Sequence, residues 1–188
     1  EAMTSPPVRR SAWTPPPAKP GVAWHEDPGP RLATHYQRVF ETAMHDMPFI
    51  NPALAVEATA FHRVGGDWLG VLLTPWFLNA VLLPGGGALW QDLSQGVKRR
   101  VALPAGELEF MGDEADDLGP FQFCPLIAPV SAFASLEEGR LAAREALAAL
   151  LQPPLETPVA LAPSGEAPAA VVPRPARRSF LGGLVGKP

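Results

Sequence analysis

Cysteine is nearly missing: Cys124 is the single one in 188 residues. That excludes a disulfide within the chain, a CxxC redox pair, and a cysteine-ligated zinc or iron–sulfur site built by one protomer. No apolar run approaches the roughly 20 residues that span a bilayer. Nor does a basic flank lead into a hydrophobic segment near the start. The basic excess of a nucleic-acid binder is also absent, since the formal net charge is −4 and phosphate recognition needs a lysine- and arginine-rich stripe. These deficits imply a soluble protein of a reducing, intracellular compartment that is neither membrane-inserted nor exported.

Proline, by contrast, is abundant and unevenly placed. Eight of the 24 prolines precede Arg31 and eight follow Leu151. The expected organisation is a disordered proline-rich tail at 1–29, one domain at 30–151, and a proline-rich tail with an arginine-rich element at 152–188. A domain of this size buries about two-thirds of the surface of its unfolded chain, enough to fold without staples.

Within that domain, Leu32, Tyr36, Val39, Phe40, Ala43 and Met47 recur at helical spacing, so 31–47 is predicted as an amphipathic helix that Pro48 and Pro52 terminate. Short β-like runs follow at 54–63, 67–74, 77–83, 97–103, 107–111 and 121–127. Gly65-Gly66 and Pro104-Ala105-Gly106 are hairpin signals, and the short connections favour antiparallel pairing. Ser135-Leu136-Glu137-Glu138 fits a capping box that opens a last helix, stopped by Pro153-Pro154. The predicted class is α+β: an antiparallel sheet of five to six strands with an N-terminal and a C-terminal helix packed on it, both on one face.

Chemistry is hard to assemble from these residues. Cys124 lies in the apolar strand Phe121–Ile127, where a small buried thiol is the ordinary expectation. His25, His35, His45 and His62 lack metal-ligand spacing. Asp113, Glu114, Asp116 and Asp117 lack an EF-hand pattern and are expected as a solvated turn. Gly85-Gly86-Gly87 lacks the lysine and hydroxyl residue of a phosphate loop. No catalytic, cofactor-binding or metal-ligating residue is assigned, and the chain is expected not to be an enzyme. Among the aromatics, Trp68 is expected in the core, whereas Trp76 and Trp90 flank proline and glycine turns, where a ring can serve recognition.

Several blocks, in order, resemble one family. Met44-His45-Asp46-Met47, then 51–58 (Asn51-Pro52-Ala53-Leu54-Ala55-Val56-Glu57-Ala58), then 68–79 (Trp68-Leu69-Gly70 through Trp76-Phe77-Leu78-Asn79) are followed by Leu82-Leu83-Pro84-Gly85 and Trp90. Leu103-Pro104-Ala105-Gly106-Glu107 and Gln122-Phe123-Cys124-Pro125-Leu126 extend the likeness. Together they resemble the HybE/HoxT/HupJ family of [NiFe]-hydrogenase assembly chaperones over about residues 30–151. The resemblance implies a cytoplasmic accessory protein without a cofactor. Its partners would be precursor hydrogenase subunits, the small subunit with its twin-arginine signal peptide, the large subunit, or both. These would be held until cofactor assembly is complete, with protection from oxygen as a further role. Trp76, Phe77, Asn79, Pro84 and Trp90 are the expected partner-binding residues.

Beyond the domain, Arg177-Arg178-Ser179-Phe180-Leu181 is similar to the core of a twin-arginine signal, placed where it cannot serve as one. Arg177, Arg178, Phe180 and Leu181 are either a basic tail anchored on the domain or an internal mimic that competes with a client signal peptide. The rival classes for the whole chain are a metal-dependent or small-molecule enzyme and a passive subunit of a larger complex.

Overall fold

The structure is a computed structural model and describes residues 12–153. Helix α1 spans Gly29–Val39 and runs on into a π-helical turn at Phe40–Met44. Seven strands follow: β1 Glu57–Ala58, β2 His62–Val64, β3 Asp67–Leu73, β4 Leu78–Leu83, β5 Lys98–Leu103, β6 Gly106–Ala115 and β7 Gly119–Ile127. Helix α2, Leu136–Leu151, closes the domain. All strand pairs are antiparallel, in the order β1-β3-β4-β7-β6-β5, with β2 also on β3. Strands β5 to β7 are joined by hairpins, and the long connection after β4 returns the chain so that β7 lies beside β4, a Greek-key arrangement.

The turns explain the hairpins. Gly65 and Gly66 both have positive φ, 57° and 89°. Two such residues between paired Val64 and Asp67 give the primed turn whose twist matches the flanking strands. The predicted run 54–63 is split in two: β1 and β2 lie end to end on one edge of β3. Between them Thr59 substitutes a side-chain contact for part of the ladder, its Oγ1 accepting from the Val71 N–H at 2.9 Å. At α2 the Ser135 Oγ accepts the Glu138 N–H at 3.3 Å, as the capping box requires. Glu138 reaches one residue further back than expected and accepts from Ala134 N–H at 2.7 Å.

The two helices cover opposite faces, which corrects the expectation that both lie on one. Leu69, Val71 and Leu73 of β3 and Leu78, Ala80 and Leu82 of β4 pack in one cluster with Ala143, Leu147 and Leu150 of α2. The alternate residues Leu72, Val81 and Leu83 pack in a second cluster with Leu32 of α1. Strand β4 is accordingly buried at every position. Near-continuous apolar runs are what a strand covered on both faces carries. Where Phe61 crosses the α1 face, it sits so close to Gly70 that an added Cβ there would lie 2.3 Å from its ring.

Residues 19–28 also depart from the expected disordered tail at 1–29. They lie on the domain: Lys19 pairs with Glu114 at 2.8 Å, the Trp24 N–H donates to Pro84 O at 2.9 Å, and Trp24 O accepts from the Trp68 indole N–H at 2.9 Å. Proline-rich chain is extended whether it is free or laid on a surface, so composition alone does not separate the two. Asp27 then starts α1, its Oδ1 accepting the Gly29 N–H at 2.8 Å. The acidic cluster differs as well. Asp113 and Glu114 lie in β6, and Asp117 pairs with His35 at 2.7 Å and Arg38 at 3.4 Å.

Candidate functional site

The β3–β4 connection is Thr74-Pro75-Trp76-Phe77, between paired Leu73 and Leu78. Thr74 is fully buried, and its Oγ1 accepts from Phe77 N–H at 3.0 Å and Trp76 N–H at 3.3 Å. Proline fixes φ at the second position of the turn. A buried hydroxyl and a stiff residue thus hold two aromatic rings at one end of the sheet.

Those rings meet the end of α1. Trp76 stacks on Phe40, with centroids 6.1 Å apart and planes 13° apart. Tyr36 meets Phe77 edge-on at 5.6 Å, and Trp76 meets Phe77 at 5.4 Å. Phe40 opens the π-helical turn, an irregularity of helices that recurs at functional sites. The following loop carries Met47 and Phe49, 44% and 50% exposed, and is tied to the same turn by Asn51 N–H donating to Pro75 O at 2.8 Å. Ile127, paired with Leu78, is exposed at this end too. Burial in this aromatic setting holds the Tyr36 hydroxyl well above its ordinary pKa, with the nearby Asp113 carboxylate adding to the shift, so it stays neutral.

Asn79 is 6% exposed, and its Oδ1 has no hydrogen-bond partner among the described residues. It lies two residues past Phe77, on the same β4 face as Val81 and Leu83.

Pro84 and Trp90 are elsewhere. Strand β4 separates Phe77 from Pro84 by roughly 20 Å at the usual rise per strand residue, so the five expected contact residues fall at two ends of the domain. Pro84 is buried, and Trp90 is partly covered by the protein's own N-terminal segment. Gly21 lies against the indole, and Asp92 Oδ1 accepts both the Gly21 N–H and the Trp90 indole N–H at 2.8 Å. Trp68, expected in the core, is partly buried under the Arg63 guanidinium, 4.0 Å from the ring centroid.

Sequence reasoning missed what organises this second end. Asp67 is 0% exposed, and its carboxylate accepts four backbone N–H groups, from Gly85 (2.7 Å), Gly87 (3.0 Å), Leu89 (2.9 Å) and Trp90 (2.7 Å). Arg99 joins the network, donating to Leu89 O at 2.8 Å and Gln122 Oε1 at 2.7 Å. Burial lowers its pKa and the Asp67 charge opposes that shift. The Gly85-Gly86-Gly87 loop is therefore a fixed structure wrapped on a carboxylate. A charged residue opening an otherwise apolar strand was the signal that could have revealed it.

Cys124 is buried, and burial pushes its thiol pKa up, aided by the Glu109 charge; such a thiol is a poor nucleophile. Arg177, Arg178, Phe180 and Leu181 lie outside the described residues.

Fold and sequence together define the class: hydrogenase assembly chaperones. Residues 27–183 match the family described as [NiFe]-hydrogenase assembly, chaperone, HybE. The chain is 37% identical over 139 residues to the hydrogenase expression/formation protein HupJ of Bradyrhizobium diazoefficiens, spanning 74% of this chain and 78% of that one. It is 29% identical over 137 residues to the hydrogenase-2 operon protein HybE of Escherichia coli, spanning 73% and 85%. The solution structure of HybE from Escherichia coli superposes with a TM-score of 0.58 at 27% identity, covering 88% of this chain and 94% of that one. The chain belongs to the HybE family, and its role lies in hydrogenase maturation. Among the described residues, no helix is long and apolar enough to cross a membrane.

Proposed function

We propose that the protein binds precursor subunits of a [NiFe]-hydrogenase in the cytoplasm, acting without catalysis, and releases them when cofactor assembly is complete. The observation that carries this reading is the Phe40–Trp76 stack, held rigid by Thr74 and bordered by exposed Met47 and Phe49. Rigid aromatics with little conformational entropy to lose are efficient anchors, and flexible methionine adapts to unlike partners. Exposed apolar side chains near such a stack are a feature of protein-association sites. Trp76 and Phe77 would contact the client directly. Asn79 would act from beneath them, and at the far end of β4 buried Pro84 and covered Trp90 would add only a minor share.

The clients in this reading are the small-subunit precursor with its twin-arginine signal peptide, the large subunit, or both, and shielding them from oxygen follows from burying their surface. Immobilised protein should retain immature subunits and let mature ones pass. Equal retention of both would replace the chaperone reading with that of a permanent subunit.

Arg177-Arg178-Ser179-Phe180-Leu181, within the span of the family match, serves in this proposal as an internal competitor for the signal peptide. Deleting residues 174–188 should then tighten signal-peptide binding, because a tethered competitor acts through its effective concentration. Unchanged affinity would remove the competitor from the account.

A further inference from the structure

On the face opposite α1, a cleft of about 610 Å³ separates α2 from the β1/β2 edge of the sheet. Its floor is apolar, formed by Leu73, Ala143 and Leu147. Small residues on this side of α2 leave space above the edge strand. This cleft is separate from the aromatic end and does not depend on the function proposed for it.

Among the described residues, the edge itself is open. Strand β1 pairs with β3 on one side only. Thr59 N–H donates to Val71 O at 2.9 Å, so Thr59 faces β3. Alternation along an antiparallel strand then turns the N–H and C=O of Ala58 outward, toward the cleft. Strand β5, at the other edge of the sheet, carries exposed Lys98 and Arg100, charges of the kind that natural sheets place on edges to block pairing. Strand β1 is only two residues long, and its one charged residue, Glu57, is turned to Arg140 on α2.

Charge selects the occupant. Glu57 is already neutralised by Arg140, whose Nε and Nη2 donate to its carboxylate at 2.7 and 2.5 Å. Arg144, one helical turn further on and also lining the cleft, has no carboxylate within 4.0 Å among the described residues. A carboxylate entering the cleft would come within reach of this guanidinium.

We propose that the cleft binds an extended, carboxylate-bearing peptide segment of a partner protein, added as a strand on β1. Backbone hydrogen bonds to Ala58 give the strand addition. An apolar side chain of the peptide rests on Leu73 and Leu147, and its carboxylate pairs with Arg144.

The test uses the full chain and a labelled six-residue probe, Val-Thr-Val-Thr-Val-Glu. Saturable binding is expected, together with slowed hydrogen exchange at the Ala58 amide. Arg144→Glu should weaken binding at least tenfold, and replacing the terminal Glu by an amidated Gln should do the same with the unaltered protein. A probe N-methylated at alternate residues should not bind. Ala58→Pro should abolish binding, and because that change can disturb β1, Arg144→Glu at the exposed helix surface keeps the test independent of folding. The proposal is overturned if the probe does not bind, if the N-methylated probe binds equally well, or if Arg144→Glu has no effect. It is also overturned if the Ala58 amide is already protected in the free protein, which would show the edge filled by the chain itself or by a second copy.

Discussion

Phe40 and Trp76 lie in nearly parallel planes, 13° apart with 6.1 Å between ring centroids, and join the end of helix α1 to the β3–β4 turn. Neither ring reaches this position by regular geometry. Phe40 stands in a π-helical turn, and Trp76 stands in a turn whose amides are gathered by one buried hydroxyl. The proposed recognition surface is thus a product of two local irregularities that support each other.

That dependence makes Thr74 a sensitive position. Thr74→Val keeps the shape and removes the acceptor of the Trp76 and Phe77 amides. Stability should fall by about 1 kcal/mol in urea unfolding, and client affinity should fall several-fold, because the rings lose their fixed direction. Thr74→Ser, which keeps the hydroxyl, should retain both. Equal behaviour of the two variants would remove the hydroxyl from the account.

Asp67 gathers four backbone amides on one buried carboxylate. Asp67→Ala leaves four amide donors of residues 85–90 without their acceptor, and a cost of about 3 kcal/mol or more is expected. Asp67→Asn, with one carbonyl oxygen remaining, should lie between that variant and the natural protein. Chemical denaturation midpoints order the three.

Gly70 and Phe61 form a close pair in which one side chain occupies the place of another. Gly70→Ala should destabilise by about 1–3 kcal/mol through overpacking, since its Cβ would meet the Phe61 ring. Adding Phe61→Leu should recover part of that loss, so a double-mutant cycle should give a favourable coupling. Simple additivity would mean that the ring moves aside freely.

The Glu57–Arg140 pair gives a pH dependence with a definite sign. Its hydrogen bonds with Arg140 hold the Glu57 carboxyl below its ordinary value of 4.5, against an opposing contribution from burial. A depressed carboxyl binds fewer protons in the folded state, so its stabilisation is complete above the unfolded value and is lost as pH falls through the folded one. Urea midpoints below pH 4.5 should therefore drop more steeply in the natural protein than in Arg140→Met. Parallel acid limbs would show that the pair contributes nothing.

Much of the fold was legible in local signals. Gly65-Gly66, Pro104-Ala105-Gly106 and the Ser135 cap mark turns and a helix start through backbone requirements that a few adjacent residues reveal. The opposite placement of the helices was misread, although Leu-Asn-Ala-Val-Leu-Leu of β4, apolar at every position but Asn79, carried its signal, where a strand with one wet face would alternate. The site was only half legible. Trp76 and Phe77 announce themselves beside Pro75, but Pro84 and Trp90 belong to a different end because a six-residue strand intervenes. Asp67 gathers amides 18 to 23 residues away, and no local pattern encodes such a contact. The π-helical turn leaves no mark in the spacing of apolar residues, which is compatible with an unbroken α-helix through Met47.

The central claim is that client capture belongs to the aromatic end, and the most direct measurement is the affinity for an immature hydrogenase subunit of Trp76→Ala beside Trp90→Ala. Circular dichroism on both variants establishes that each is folded. Trp76→Ala should weaken capture at least tenfold, a loss of about 1.4 kcal/mol, whereas Trp90→Ala, at the end covered by the N-terminal segment, should cost much less. Full retention of affinity in folded Trp76→Ala would contradict the account.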